Sequence, residues 1–69
     1  MMKNLKLKSL RVAKDMTQDD LARAVGVTRQ TIGLIELGKY NPTLNLCLEI
    51  CWALDASLDE IFWRQRDEN

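Results

Sequence analysis

The chain has 69 residues, 46% apolar and 29% charged, with ten bases balancing ten acids. That length holds one modest core and argues against a second domain, and the longest apolar runs fall far short of the roughly 20 residues needed to cross a bilayer. With no signal peptide evident, we expect residues 1–69 to form one soluble, cytoplasmic domain without a membrane partner. Histidine is absent, and Cys47 and Cys51 are the only cysteines. A zinc site is not expected from one pair of thiols a helical turn apart; two small buried apolar residues in a reducing compartment are. The charge is unevenly spread: residues 1–42 carry eight bases against four acids, and residues 43–69 carry two against six. A basic portion of this kind can attract phosphate although the whole molecule is neutral, and a solvated surface with no partner would look the same.

Leu7, Leu10 and Lys14, with Leu5 and Val12 nearby, have a helical spacing that predicts a first helix over 5–14, capped by Asn4. Thr17 opens a second helix with Asp20 at the far corner of a capping box, Met16 is placed to staple against Leu21, and Gly26 ends it after Val25. Thr28 repeats the device for a third helix to about Leu37, with Val27 and Ile32 as the staple and Gly38 as the stop. Tyr40, Asn41 and Pro42 form a turn. Thr43 caps a fourth helix with an apolar face of Leu44, Cys47, Ile50, Cys51 and Leu54. The break at Asp55-Ala56-Ser57 separates it from a short fifth helix, 58–62, opened by a capping box of Ser57 and Glu60. The fold class is therefore all-α with five helices.

Only Gly26-Val27-Thr28 joins the second and third helices, which is the length and chemistry of a helix-turn-helix. Residues 18–37, QDDLARAVGVTRQTIGLIEL, resemble the helix-turn-helix of phage repressor and Cro-type DNA-binding proteins, the XRE family. Ala22 matches the small residue where the two helices cross, Gly26 the left-handed turn, and Val27, Ile32 and Ile35 the buried contacts of the recognition helix. The further run RQTIGLIELGKYNPTL, with LDEIF beyond it, resembles small stand-alone dimeric members of that family such as the cytolysin operon repressor. The resemblance implies a five-helix, lambda-repressor-like domain that binds double-stranded DNA, and it suggests a short two-stranded sheet between residues 1–3 and 62–66.

The residues support that implication independently. Three polar side chains at the mouth of the third helix are more than a core-filling helix needs. Arg29 can be bidentate to guanine or reach a phosphate, Gln30 can pair with adenine, and Thr28 or Thr31 can take a phosphate or a thymine methyl. Capping or plain solvation is the competing role for each. Gly33 costs its helix about 1 kcal/mol relative to alanine; either its missing side chain lets the helix sit deep in a groove, with Leu34 meeting a thymine methyl, or it is a tolerated surface glycine. By the resemblance, Gln18 touches phosphate at the start of the second helix, and Lys39 with Tyr40 or Asn41 forms a second phosphate clamp. Leu37 stands where the family often has Asn. Arg11 and Glu36 match a partly buried ion pair that is structural.

A helix-turn-helix monomer reads about half a turn of DNA, so a homodimer on an inverted repeat is expected. Leu46, Leu48, Trp52, Phe62 and Trp63 are candidate interface residues, being too many large apolar groups to leave in water; Trp63 folding back onto a small core is the alternative. The function these features favour is a transcriptional regulator, with a repressor expected. An antitoxin-like protein-interaction module with secondary DNA binding is the second possibility. Enzymatic chemistry has no support: there is no histidine, no nucleophile elbow and no phosphate-cradling glycine loop, and Asp19-Asp20 and Asp59-Glu60 are explained as first-turn acids. Neither a cofactor nor a small-molecule effector is expected.

Overall fold

The computed structural model describes residues 4–62. It contains α1 (Leu5–Ala13), α2 (Gln18–Val25), α3 (Arg29–Glu36), α4 (Leu44–Leu54) and α5 (Leu58–Phe62). All regular structure among the described residues is helical. The sheet suggested between residues 1–3 and 62–66 falls almost wholly outside them.

Each helix begins where a short polar side chain can accept one of the N–H groups that the first turn leaves unpaired. The Leu7 N–H donates to Asn4 Oδ1 at 3.0 Å. Thr17 Oγ1 accepts from the Asp20 N–H at 3.0 Å while Asp20 accepts from the Thr17 N–H at 2.9 Å, which completes the capping box. Thr28 and Thr43 accept from the N–H groups of Thr31 and Leu46. Ser57 and Glu60 close a second reciprocal box at the head of α5.

The stops are less uniform. Gly26 and Gly38 take left-handed φ values of 78° and 75°, a region that carries no steric cost without a Cβ. Asp15 and Asp55 occupy the same region at 56° and 54°, so two of the four reversals are made by aspartate rather than glycine. Asp is among the few non-glycine residues that tolerate this geometry, because its short side chain can bond locally.

The core is built from Leu7, Leu21, Ala22, Ile32, Ile35, Ile50, Cys51, Leu54 and Ile61, one or more from every helix. Leu7, Leu21, Ile32 and Ile50 are fully enclosed, and each such side chain contributes about 1.5–3 kcal/mol relative to exposure. Ala22 of α2 is buried, and α2 packs on α3. α2 also packs on α4, and α1 bridges α3 and α5. The apolar face expected of α4 is correct from Ile50 onward but not at its start: Leu44 is 65% exposed, and in that turn it is Leu46 that packs against the core. Leu5 and Val12 likewise point away from it.

Candidate nucleic-acid interface

The interface is assembled on α3 by a brace behind it. Arg11 Nε donates to Glu36 Oε2 at 2.7 Å and Arg11 Nη2 to Glu36 Oε1 at 3.3 Å, with both side chains less than a tenth exposed. The third guanidinium nitrogen, Nη1, donates to the Met16 carbonyl at 2.7 Å. The Asn4 N–H donates to the Glu36 carbonyl at 2.9 Å. One arginine therefore ties the loop before α2 and the last turn of α3 to α1. No buried side-chain nitrogen or oxygen among the described residues is left without a partner.

Gln18 joins the same brace. Its Nε2 donates to Glu36 Oε1 at 3.0 Å, and the side chain is half-buried alongside Gly33. The bond turns one amide N–H inward. The head of α2 keeps its backbone N–H groups and dipole, which is the usual anion-attracting arrangement at a helix N-terminus.

On the outer side, Thr28, Arg29 and Gln30 are exposed and Thr31, Gly33 and Leu34 are half-buried. The two threonines are engaged with each other: Thr28 Oγ1 accepts from the Thr31 N–H at 3.2 Å, and the hydroxyls lie 3.0 Å apart. Their first duty is to cap α3. Arg29 and Gln30 have no side-chain hydrogen bond or ion pair among the described residues, so the longest polar side chains at this helix end are the ones left available. Arg29 and Gly33, and Gln30 and Leu34, are each one turn apart, so four of these positions share one face. With Gln18 and Leu37 they line a shallow, open recess of about 360 Å³.

The second cluster follows α3. Gly38 in the left-handed region lets the Lys39 N–H donate to the Leu34 carbonyl at 2.8 Å, which ends the helix and turns the chain outward. Lys39, Tyr40 and Asn41 are all exposed there. Arg23 does not belong to this surface electrostatically, because it pairs with Asp19 at 3.5 Å and Asp20 at 2.9 Å. The N–H and hydroxyl of Thr17, aided by Arg23, hold the Asp20 carboxyl below its ordinary pKa.

Of the residues considered for a subunit interface, Trp52 is 69% exposed. Leu46 and Phe62 are partly buried against the core, and Leu48 is half-buried. Trp63 lies outside the described residues. Burial raises the pKa of both Cys47 and Cys51, so each remains a thiol at neutral pH. No group among the described residues has the composition of a metal site.

Two short helices joined by a glycine turn, the second with a free polar face at its N-terminus and a brace behind it, define a helix-turn-helix DNA-binding protein. Comparison with known proteins agrees. Residues 7–61 match HTH_3, the helix-turn-helix family, and the chain belongs to it. The uncharacterized HTH-type transcriptional regulator YgzD of Bacillus subtilis is 44% identical over 66 residues, covering 96% of this chain and 98% of its own. An uncharacterized HTH-type transcriptional regulator of Methanocaldococcus jannaschii is 46% identical over 67 residues, covering 97% and 100%. Among solved structures, the restriction-modification controller protein C.AhdI from Aeromonas hydrophila superposes with a TM-score of 0.77 at 37% identity, covering 83% of this chain and 86% of that one. The clp gene regulator ClgR from Corynebacterium glutamicum gives 0.75 at 31% identity, covering 80% of this chain and 58% of that one. The protein is thus a transcriptional regulator with a helix-turn-helix DNA-binding fold, and its family is not one of enzymes.

Proposed function

We propose that the protein represses transcription by binding an inverted-repeat operator as a homodimer, each subunit laying the N-terminus of α3 in the major groove. The single observation that carries this reading is the uncommitted pair Arg29 and Gln30, held at the mouth of a helix whose far end is locked by the Arg11–Glu36 pair. Arg29 has the geometry to be bidentate to guanine O6 and N7, and Gln30 to adenine N6 and N7. Thr28 and Thr31, already bonded to each other, offer their remaining hydroxyl capacity to a phosphate or a methyl to a thymine. Gln18, Lys39, Tyr40 and Asn41 grip phosphates on either side of the groove.

A dimer follows from what one subunit can reach. One recognition helix covers about half a turn, so specificity needs two, with half-site centres about 34 Å apart in successive grooves. Exposed Trp52, together with Leu46, Leu48, Phe62 and Trp63, supplies the apolar area for self-association. Regulation acts through abundance of the protein or through a second chain, and the operator lies where a bound dimer obstructs a promoter.

The test is selection of bound duplexes from a random pool, followed by footprinting on the winner. The expected result is a protected inverted repeat with two major-groove contacts one turn apart. Enrichment of no sequence, or a footprint without two-fold symmetry, overturns the reading.

A further inference from the structure

α1 has two apolar faces, where a helix that only fills a core has one. Leu7 is buried and Leu10 packs against the core, while Leu5 is 67% and Val12 54% exposed. Leu5, Ser9 and Val12 have the i, i+4, i+7 spacing of a single helical stripe, and Ser9 is exposed with them. Lys6 and Lys8 flank the stripe and Lys14 ends the helix; all three are exposed, and residues 4–14 hold no acid. The head of α5 has the opposite character. Asp55, Asp59 and Glu60 are exposed around Leu58, itself 37% exposed, and residues 55–62 hold no base. Among the described residues the ion pairs are Arg11–Glu36 and those of Arg23 with Asp19 and Asp20, so neither the three lysines nor these three acids are paired there.

α1 packs directly on α5, so the basic helix and the acidic one are neighbours in every copy. Neighbouring patches of opposite sign are self-complementary, because a two-fold rotation lays the basic patch of each copy on the acidic patch of the other. Pairing α1 with α1, or α5 with α5, would instead set like charges against each other. The Leu5–Val12 stripe and Leu58 supply apolar contact inside a charged rim, the usual anatomy of a specific interface. We propose that the outer face of α1 docks reciprocally on the head of α5 of a second copy of this chain, as a salt-sensitive self-contact separate from the surface around Trp52. This contact uses no residue of α3, so it goes beyond the operator-binding reading and stands independently of it. Where the Trp52 surface already pairs two copies, the contact between α1 and α5 joins such pairs to one another.

The test is sedimentation velocity of the full chain without DNA, at about 0.05 M and about 1 M salt, since the screening length falls to about 3 Å at the higher value. The parent's association beyond its high-salt species is expected to strengthen roughly tenfold or more at low salt, as charge-complementary contacts do. Two charge-reversed proteins locate the contact. One carries Lys6→Glu, Lys8→Glu and Lys14→Glu. The other carries Asp55→Asn, Asp59→Lys and Glu60→Gln, in which asparagine tolerates the left-handed backbone at 55 and glutamine keeps the capping-box acceptor. Circular dichroism should show both folded, since all six side chains are exposed. Alone, each is expected to lose the low-salt assembly. Mixed in equal amounts, they are expected to regain it as a mixed species, because every α1 then meets an α5 of opposite sign. Should a triple variant unfold, Lys6→Glu and Asp59→Lys singly are scored in the same way. A parent whose association ignores salt, an assembly that survives in either variant alone, or a mixture that does not assemble overturns the inference and leaves the operator reading standing. A protein that assembles as expected but selects no duplex loses the operator reading and keeps this contact.

Discussion

Replacing Glu36 with alanine tests the brace behind the recognition helix. Arg11 and Glu36 have side-chain exposures of 9% and 6%, so the range of about 0–1 kcal/mol for surface ion pairs does not apply. Removing the carboxylate deletes the acceptors of two Arg11 bonds and of the Gln18 amide, and leaves a guanidinium satisfied only by the Met16 carbonyl. A stranded buried charge costs about 3–5 kcal/mol. A domain of this size has a total stability of about 3–10 kcal/mol at the usual 0.05–0.15 kcal/mol per residue, so the variant should lose a large fraction of it and unfold at a much lower urea concentration than the parent. Arg11→Met should be similarly costly. The double variant Arg11→Met with Glu36→Leu should be much less than additive, because no unpaired charge remains and both replacements can pack. The assay is urea unfolding followed by far-ultraviolet circular dichroism at fixed protein concentration, since self-association would shift the midpoint. Single variants that each lose under about 1 kcal/mol, with an additive double variant, would refute the reasoning.

The other expectations are smaller in scale. Lys39→Ala should weaken binding to all duplexes about equally and reduce the slope of log affinity against log salt by about 1, measured by fluorescence anisotropy at several ionic strengths; a loss confined to one sequence would make Lys39 a base reader instead. Gly38→Ala forces a Cβ into φ 75° and should cost about 1–2 kcal/mol in urea unfolding; an unchanged midpoint would contradict that strain. Asp20 has a folded-state pKa below its ordinary 3.8, so its contribution to stability is present above that value and is lost as pH falls through the lowered one. Asp20→Asn should flatten the acid side of the stability profile below about pH 4, and an identical acid limb would show that the capping box is not what depresses the carboxyl.

The helix boundaries were legible because the caps are local chemistry. Thr17 with Asp20, Thr28, Thr43 and Ser57 with Glu60 sit a fixed few residues from the N–H groups they satisfy, and spacing alone places them. Asp15 and Asp55 were harder to read as left-handed positions, because aspartate is equally common where φ is negative. Leu44 lies off the core although Leu46 in the same turn packs against it: in a helix as apolar as α4, spacing alone leaves open which of several apolar residues faces inward. The polar face of α3 was readable as a set of candidate readers, whereas the division of labour within it was not. That Thr31 turns its hydroxyl to Thr28 depends on a rotamer. That Gln18 bonds Glu36, 18 residues away, depends on how α2 crosses α3. Such contacts belong to the packed state, and their only trace in the sequence is a residue type able to make them.

The central claim is that the mouth of α3 reads bases, and titrating the Gln30→Ala and Arg29→Ala proteins against an operator varied one base pair at a time tests it most directly. Circular dichroism should show both variants folded, since exposed first-turn side chains contribute little to stability. Gln30→Ala should lose about 1–3 kcal/mol per half-site and relax discrimination at one pair. Arg29→Ala should do the same at a neighbouring pair if it reads guanine, or weaken every sequence uniformly if it grips phosphate. Two folded variants that bind every operator as the parent does would contradict the account.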